Sequence, residues 1–270
     1  MDARPAQPQT IFWRLETAAL NVMFWCLFPL WTALLVVVGL PYYYTFRFVT
    51  RNQRRSGWLV RRTISNYGTL VIRSGWPLVR VKYVDLAPDE RPPWVFVANH
   101  RSMSDAFLMS VLPYECVQVL NIWTSRLYIV NRLSRLGEYL RVKEISFEQF
   151  MEQGLGLLNA GVSVIAFPEG TRSGSRQMGP FHGAVFRLAQ KAGVKVCPLT
   201  ISGSEDIPHK GSLLMHPGKI VITKLPSLTA QQYQGMNAFQ LKMRAREIIQ
   251  KFLDSSSQRK PEPVMDPQPI

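Results

Sequence analysis

Cysteine, histidine and acidic residues are scarce in this 270-residue chain. Three cysteines, Cys26, Cys116 and Cys197, provide no disulfide framework, which sets aside small stapled secreted folds. Cys26 sits in an apolar segment and Cys197 in a strand-like run, so both are expected as buried, reduced thiols. The four histidines lack the short spacings of a zinc site, and no metal is expected. Asp and Glu number 18 against 32 Lys and Arg, a formal net charge of +14. That excess favours an anionic partner, whether membrane surface, phosphorylated substrate or nucleic acid. Aromatic and basic residues do not interleave on a recognisable nucleic-acid module, and the densest basic cluster adjoins an apolar segment, so nucleic acid is set aside. No internal repeat is present.

Charge is missing altogether from Ala18 to Phe46. An apolar run of that length suffices to cross a bilayer. Trp25, Trp31 and Tyr42–Tyr44 suit its interfaces. Arg47, Arg51, Arg54, Arg55, Arg61 and Arg62 follow without an acid among them, which by the positive-inside rule puts the rest of the chain on the cytoplasmic side of the membrane. A cleaved signal peptide fits poorly, because the run is too long and lacks a basic leader. Pro29 and Pro41 leave a second geometry open, a kinked or re-entrant hairpin entering one leaflet.

Four regions are expected. Residues 1–10 are polar and disordered; 11–72 form a membrane-anchoring helical segment ending in a basic amphipathic stretch that lies on the headgroups; 73–253 form an α/β domain; 254–270 form a disordered tail. Val79–Val84, Trp94–Ala98, Val162–Phe167, Val194–Ile201 and Lys219–Leu225 read as strands. Ser102–Leu112, Phe147–Asn159, His182–Lys191 and Ala230–Leu253 read as helices, with Gly161 closing the second and Gly193 stopping the third. Alternation of the two predicts an α/β fold with a largely parallel core sheet flanked by helices, preceded by an N-terminal helical membrane segment.

Two short stretches carry chemistry. Asn99-His100-Arg101-Ser102-Met103-Ser104-Asp105 follows the strand-like run Trp94–Ala98. A histidine acting as general base needs a carboxylate that fixes its tautomer and supports its charged form. On an unbroken helix a spacing of five would turn the two side chains about 140° apart. They meet only if His100 sits on a loop before a helix carrying Asp105. Ser102-x-x-Asp105 also fits a helix capping box, so a purely structural role stands beside the catalytic one. In Phe167-Pro168-Glu169-Gly170-Thr171-Arg172-Ser173, Gly170 lets the backbone turn and present N–H groups, while Thr171 and Arg172 suit an oxyanion. An ordinary strand-ending turn with solvated charges is the alternative.

Taken together, in this order and followed by Val196-Cys197-Pro198-Leu199, these blocks resemble the glycerolipid acyltransferase family, whose best-known members are the lysophosphatidic acid acyltransferases. The resemblance runs from about Val79 to Leu225. It implies that His100 is the general base and Asp105 its orienting acid. It places Glu169, Gly170, Thr171 and Arg172 in the block that binds the acyl acceptor, with Arg172 opposite the phosphate, and Pro198 in an apolar block serving the donor. It implies no bound cofactor; acyl-CoA or acyl-carrier protein is the co-substrate, the acceptor is a lysophospholipid, and membrane lipids are the surroundings.

The family's second block departs. Arg126 stands for its early Lys and Lys143 for its terminal Arg, but no proline follows and Val142 occupies the place of an Asp. Arg126, Arg132, Arg135, Arg141 and Lys143 also read as a solvated basic face. The expected reaction is therefore acyl transfer to a lysophospholipid hydroxyl, most simply 1-acylglycerol 3-phosphate giving phosphatidic acid. A different lyso-lipid acceptor and a non-catalytic membrane-binding member of the fold are the alternatives.

Overall fold

The computed structural model describes residues 11–121, 128–171, 177–205, 207, 208 and 212–258. Seven strands form one sheet in the order β1-β7-β6-β2-β5-β3-β4: β1 Val79–Asp85, β2 Trp94–Ala98, β3 Cys116–Leu120, β4 Leu140–Arg141, β5 Ser163–Ala166, β6 Lys195–Ser202 and β7 Gly218–Lys224. Among the described strands, β6 and β7 pair antiparallel and the other five pairings are parallel. The expected largely parallel core is therefore present, with β1 and β7 reversed at one side.

β2 sits mid-sheet and is buried along its whole length, as a continuous apolar run covered on both faces must be. Val95 and Val97 point into a core closed by α6 (Phe147–Asn159), α7 (Ala184–Ala192) and α8 (Ala238–Gln258). Trp94, Phe96 and Ala98 point into a second core with Leu108 and Met109, against which Leu20, Phe24 and Ile72 of the N-terminal helices pack. The apolar N-terminal segment is thus also a layer of the α/β fold.

Local chemistry sets the helix ends. Ser146 and Gln149 exchange reciprocal hydrogen bonds at the start of α6, satisfying two amides that the first turn leaves orphaned. At its end Gly161, at φ +82°, donates to Leu158 O while Val162 donates to Leu157 O, the double bond pattern that closes a helix on a left-handed residue. α8 starts at Ala238, later than the expected Ala230, because Asn237 and Gln240 form a capping box there. It runs to Gln258, so residues 254–258 are helical where a tail was expected. Residues 1–10 and 259–270 lie outside the described residues.

The apolar run is one long helix, α1 (Ile11–Leu34) and α2 (Leu40–Thr50) joined through a π-helical turn at Leu35–Gly39. It is long and apolar enough to cross a membrane. Pro29 does not reverse it, and Pro41 directly follows the π-helical turn, in which Leu40 N–H donates to Leu35 O. The chain turns back only at Arg51, in the left-handed conformation, and α3 (Gln53–Ser74) returns along α1. Trp31 Nε1 donates to Ser74 Oγ at 2.8 Å, and the Thr32 and Tyr67 hydroxyls lie 2.8 Å apart. The opposite face exposes Phe12, Val22, Leu30, Val37 and Phe48. Cys26 is on that exposed side, contrary to expectation, whereas Cys197 is buried in β6 and its thiol is pushed up to about 12 by desolvation.

Arg61, one of the arginines read as part of a basic membrane-facing stretch, turns inward instead. It is buried, with Glu115 accepting from Nε and Nη2 at 2.9 and 2.7 Å and Glu138 accepting from Nη1 at 2.8 Å. These bonds tie α3 to the turns before β3 and β4.

Candidate active site

The end of β2 carries the first side chain that shapes the site. Asn99 is fully buried; its Nδ2 donates to Ile201 O at 2.9 Å and its Oδ1 accepts from Ile201 N at 2.8 Å. A side-chain amide has one donor end and one acceptor end, so it can pair with both backbone groups of one residue as a strand would. The chain leaves the sheet fixed to β6, and His100 emerges at the carboxyl edge of the parallel strands, where ligands of such sheets bind.

α4 (Asp105–Leu108) follows, continuing as a 3-10 turn through Val111. It is shorter than the expected Ser102–Leu112, and the four residues before it form the loop that the His–Asp spacing demands. Nδ1 of His100 lies 2.9 Å from Oδ2 of Asp105. The same Oδ2 accepts from the backbone N–H groups of Arg101 at 2.7 Å and Ser102 at 2.8 Å. The helix-start and histidine-orienting roles are therefore one arrangement: the carboxylate reaches back to the loop amides and holds the imidazole in the same act. Asp105 is 0% exposed and His100 18%. With the carboxylate at Nδ1, the proton is assigned to that nitrogen and Nε2 is the basic one.

β5 pairs with β2, so Phe167-Pro168-Glu169-Gly170 leaves the sheet beside His100. The Phe167 ring stacks on the imidazole, with centroids 4.5 Å apart and planes at 29°. Glu169 was expected in the acceptor site. Its carboxylate is buried instead, accepting from His100 N at 2.8 Å and Gly179 N at 2.7 Å. Both oxygens are engaged by backbone amides, so Glu169 braces the histidine loop. Gly170 has φ +71°, and a Cβ there would lie 3.0 Å from two ring atoms of His182. Its carbonyl accepts from Asn121 Nδ2 at 3.0 Å. Thr171 is exposed at the site's edge.

Gly170→Ala is expected to destabilise the protein by about 1–2 kcal/mol, the cost of a left-handed L-residue. The corresponding fall in Tm is roughly 2–8 °C. An unchanged melting temperature in detergent would mean that this turn relaxes freely.

Lys143 is exposed in the turn after β4. β5 and β3 separate β4 from β2, a lateral offset of about 14 Å at ordinary strand spacing, so the fold does not bring Lys143 to His100. Of its basic neighbours, Arg135 and Arg141 both pair with Glu144, and Arg132 stacks on and bonds Tyr44 of α2. Pro198 is buried in β6, opposite Val97. Arg126 and Arg172 lie outside the described residues. Among the described residues, no group of three His, Cys, Asp or Glu could hold a metal ion.

Sequence reasoning missed Asn99 as a clamp, Phe167 as the shelf under the imidazole, and Ser104 beside the Ser102 it read as a helix cap. Both hydroxyls donate to Ile207 O, at 3.3 and 3.1 Å. Asn99 left a signal: an amide directly after a fully buried strand must find partners inside the protein.

A histidine held by a buried carboxylate thus stands on a loop leaving a mostly parallel sheet, in a chain with one long apolar helix. The family model for Acyltransferase matches residues 79–202. The chain is 31% identical over 150 residues to a chloroplastic 1-acyl-sn-glycerol-3-phosphate acyltransferase, BAT2, of Brassica napus, covering 52% of this chain and 42% of that protein. It is 30% identical over 153 residues to the mouse 1-acyl-sn-glycerol-3-phosphate acyltransferase alpha, covering 52% of this chain and 51% of the relative. It spans about half the length of the curated relatives it matches. In fold it matches the crystal structure of the 1-acyl-sn-glycerophosphate acyltransferase PlsC of Thermotoga maritima, with a TM-score of 0.72 and 20% identity over 92% of this chain and 99% of that one. By sequence, then, the chain is similar to the acyltransferases over residues 79–202, and in fold it is similar to a solved one.

Proposed function

We propose that the protein transfers a fatty acyl group from a thioester to the free hydroxyl of a lysophospholipid, with 1-acylglycerol 3-phosphate as acceptor and phosphatidic acid as product. The observation that carries this reading is the 2.9 Å contact between His100 and the buried Asp105 at the open edge of the sheet. Nε2 takes the proton from the acceptor hydroxyl as its oxygen attacks the thioester carbonyl. The ester C–O bond forms, the C–S bond breaks, and the imidazolium returns its proton to the departing thiolate. The acceptor is itself the nucleophile, so no acyl-enzyme is required, and the buried Ser102 serves the loop. Asp105 stabilises the imidazolium between the two proton transfers. The donor is acyl-CoA or acyl-carrier protein.

Thr171 and Arg172 would face the acceptor phosphate, Arg172 because a guanidinium fork matches phosphate oxygens. Gly170, at φ +71°, shapes the turn that presents Thr171. Lys143 would reach only the more distant part of a headgroup. The departure at Val142 and the remoteness of Lys143 favour testing other lyso-lipid acceptors alongside 1-acylglycerol 3-phosphate.

The long helix is read as entering one leaflet by its exposed face. Its inner side meets polar groups of the domain from Asn21 to Tyr44, a stretch of about 35 Å at helical rise. A transbilayer course over that length would draw those groups through the hydrocarbon. The arginines at the α2–α3 turn then lie among headgroups, with the domain on the cytoplasmic side.

The test is transfer of labelled acyl groups to a panel of lysophospholipids in vesicles, with each donor in turn. Transfer to lysophosphatidic acid above the other acceptors is expected, and transfer to none of them would remove the reading. Within the same assay, Arg172→Ala is expected to raise the acceptor KM on the order of tenfold, as loss of one charge-assisted contact does, with little change in donor KM. The reverse pattern would turn Arg172 away from the acceptor.

A further inference from the structure

Asn21 is a polar residue in the middle of the apolar run, and it is 5% exposed. Its amide does not face lipid. Oδ1 accepts from Met215 N at 2.8 Å, and Nδ2 donates to Met215 O at 3.0 Å and to Thr17 O at 2.9 Å. One helical turn on, Trp25 Nε1 donates to Leu213 O at 3.0 Å. Leu213 and Met215 belong to the connection between β6 and β7. The other end of that connection is gripped in the same way, by Asn99 on both backbone groups of Ile201. Two asparagines, one beside His100 and one on the apolar helix, thus hold the two ends of a single strap.

Between the clamps the strap touches the catalytic loop. Ile207 O accepts from the hydroxyls of Ser102 and Ser104, and Glu205 pairs with Arg101 at 3.3 Å. Ile207 and Met215 are buried in one cluster with Leu108 of α4, and Leu20 and Phe24 pack on it. Phe28 meets Phe107 edge-on, with centroids 6.1 Å apart. Among the described residues, α1 and the histidine loop are therefore joined through packed side chains as well as through the strap.

We infer that Asn21 is a positioning residue: through the strap it fixes the height of the His100 loop against the bilayer-embedded helix, so that an acceptor held in the membrane reaches Nε2. Asparagine is required because only an amide of that length pairs with both the N–H and the C=O of Met215. A leucine in its place preserves volume and improves insertion but releases the strap. An acceptor arriving from water does not depend on that height. The inference rests on the acyltransferase reading for its catalytic consequence, and on the clamp geometry alone for its structural one.

The experiment compares the full-length wild type with Asn21→Leu in phosphatidylcholine vesicles, using a long-chain lysophosphatidic acid in the bilayer and a short-chain, water-soluble one, both with oleoyl-CoA or oleoyl-carrier protein. For the embedded acceptor kcat/KM is expected to fall about tenfold; for the soluble one it is expected to change less than twofold. Equal loss with both acceptors, or loss with neither, overturns the positioning role. Amide hydrogen exchange supplies an arm independent of turnover. Met215 protection is expected to fall at least about tenfold in the variant while Ile201, held by Asn99, keeps its own. Unchanged protection at Met215 overturns the clamp. Wild-type inactivity with both acceptors, with the Met215 result intact, overturns the acyltransferase reading and leaves the clamp standing.

Discussion

His100→Ala is expected to lower kcat by about 10²–10⁴-fold, the usual contribution of a positioned general base. Folding should survive. The imidazole is part-exposed, and Asp105 still receives the N–H groups of Arg101 and Ser102, so the loop keeps the bonds that shape it. The His100 backbone N–H remains available to Glu169. The loss should fall on kcat, with both KM values little changed, because the group acts on the proton in flight rather than on ground-state binding. The comparison requires matched thermal melts and matched vesicle association for the two proteins. A variant that retains wild-type turnover would take the general base away from His100, and with it the mechanism, although the match to the acyltransferase family model would stand.

The largest stability effect is expected far from the site. Lys224 is 0% exposed, at the end of β7. Its ammonium donates to Asp85 Oδ1 at 3.1 Å, Oδ2 at 3.3 Å and Ala87 O at 2.6 Å, and lies over the Trp94 and Tyr114 rings at 4.9 and 5.8 Å. Asp85→Ala leaves that charge buried without its counter-ion, a change that costs about 3–5 kcal/mol in buried pairs. The carboxylate is 18% exposed, which places the value near the lower end, about 3 kcal/mol. A Tm drop of roughly 6–12 °C corresponds to it. Adding Lys224→Met removes the stranded charge and is expected to recover much of the loss. A double variant no more stable than the single one would show that the ion pair is not the cause.

The pH dependence carries the same signature. Burial raises the Asp85 carboxyl, but the Ala87 N–H, the Lys224 ammonium and the Tyr114 hydroxyl more than offset it and hold the group below its ordinary 3.8. A carboxyl lowered on folding contributes stability above its unfolded value and loses it as pH falls through the folded one. The difference between wild type and Asp85→Ala is therefore expected to be level at neutral pH and to shrink below about pH 4. Tyr114, pushed up by desolvation, stays a donor across that range.

Several elements were legible because their signals are local. Trp94–Ala98 is a five-residue apolar run bounded by a proline pair and a polar loop, and it forms β2 with those bounds. Ser146, Gln149 and Gly161 bracket α6 by capping chemistry that needs nothing beyond one helical turn. β3, α5 (Tyr128–Leu136) and β4 were not read from the sequence. β4 is two residues long, and β3 is only partly buried, so neither displays a clear period. The His100–Asp105 pair was legible as a spacing that makes sense only across a loop. The reversal of Glu169 from ligand-facing to loop-bracing was not, because its partner amides lie 69 and 10 residues away and a sequence does not say which way a carboxylate points.

By itself the amino-acid order determined the strands and helices with strong periods, the resemblance to the acyltransferases, the histidine and its acid, and an apolar helix bounded by arginines. Each of these follows from neighbours within a few residues, where side-chain period and backbone capping operate. Only the tertiary structure decided that Arg61 faces inward, that the apolar helix forms one layer of the α/β fold, and that Asn99 and Asn21 clamp Ile201 and Met215. Those bonds join residues 102 and 194 positions apart. A buried amide must find a partner, but which backbone meets it is settled when the layers pack, and no local pattern encodes that choice.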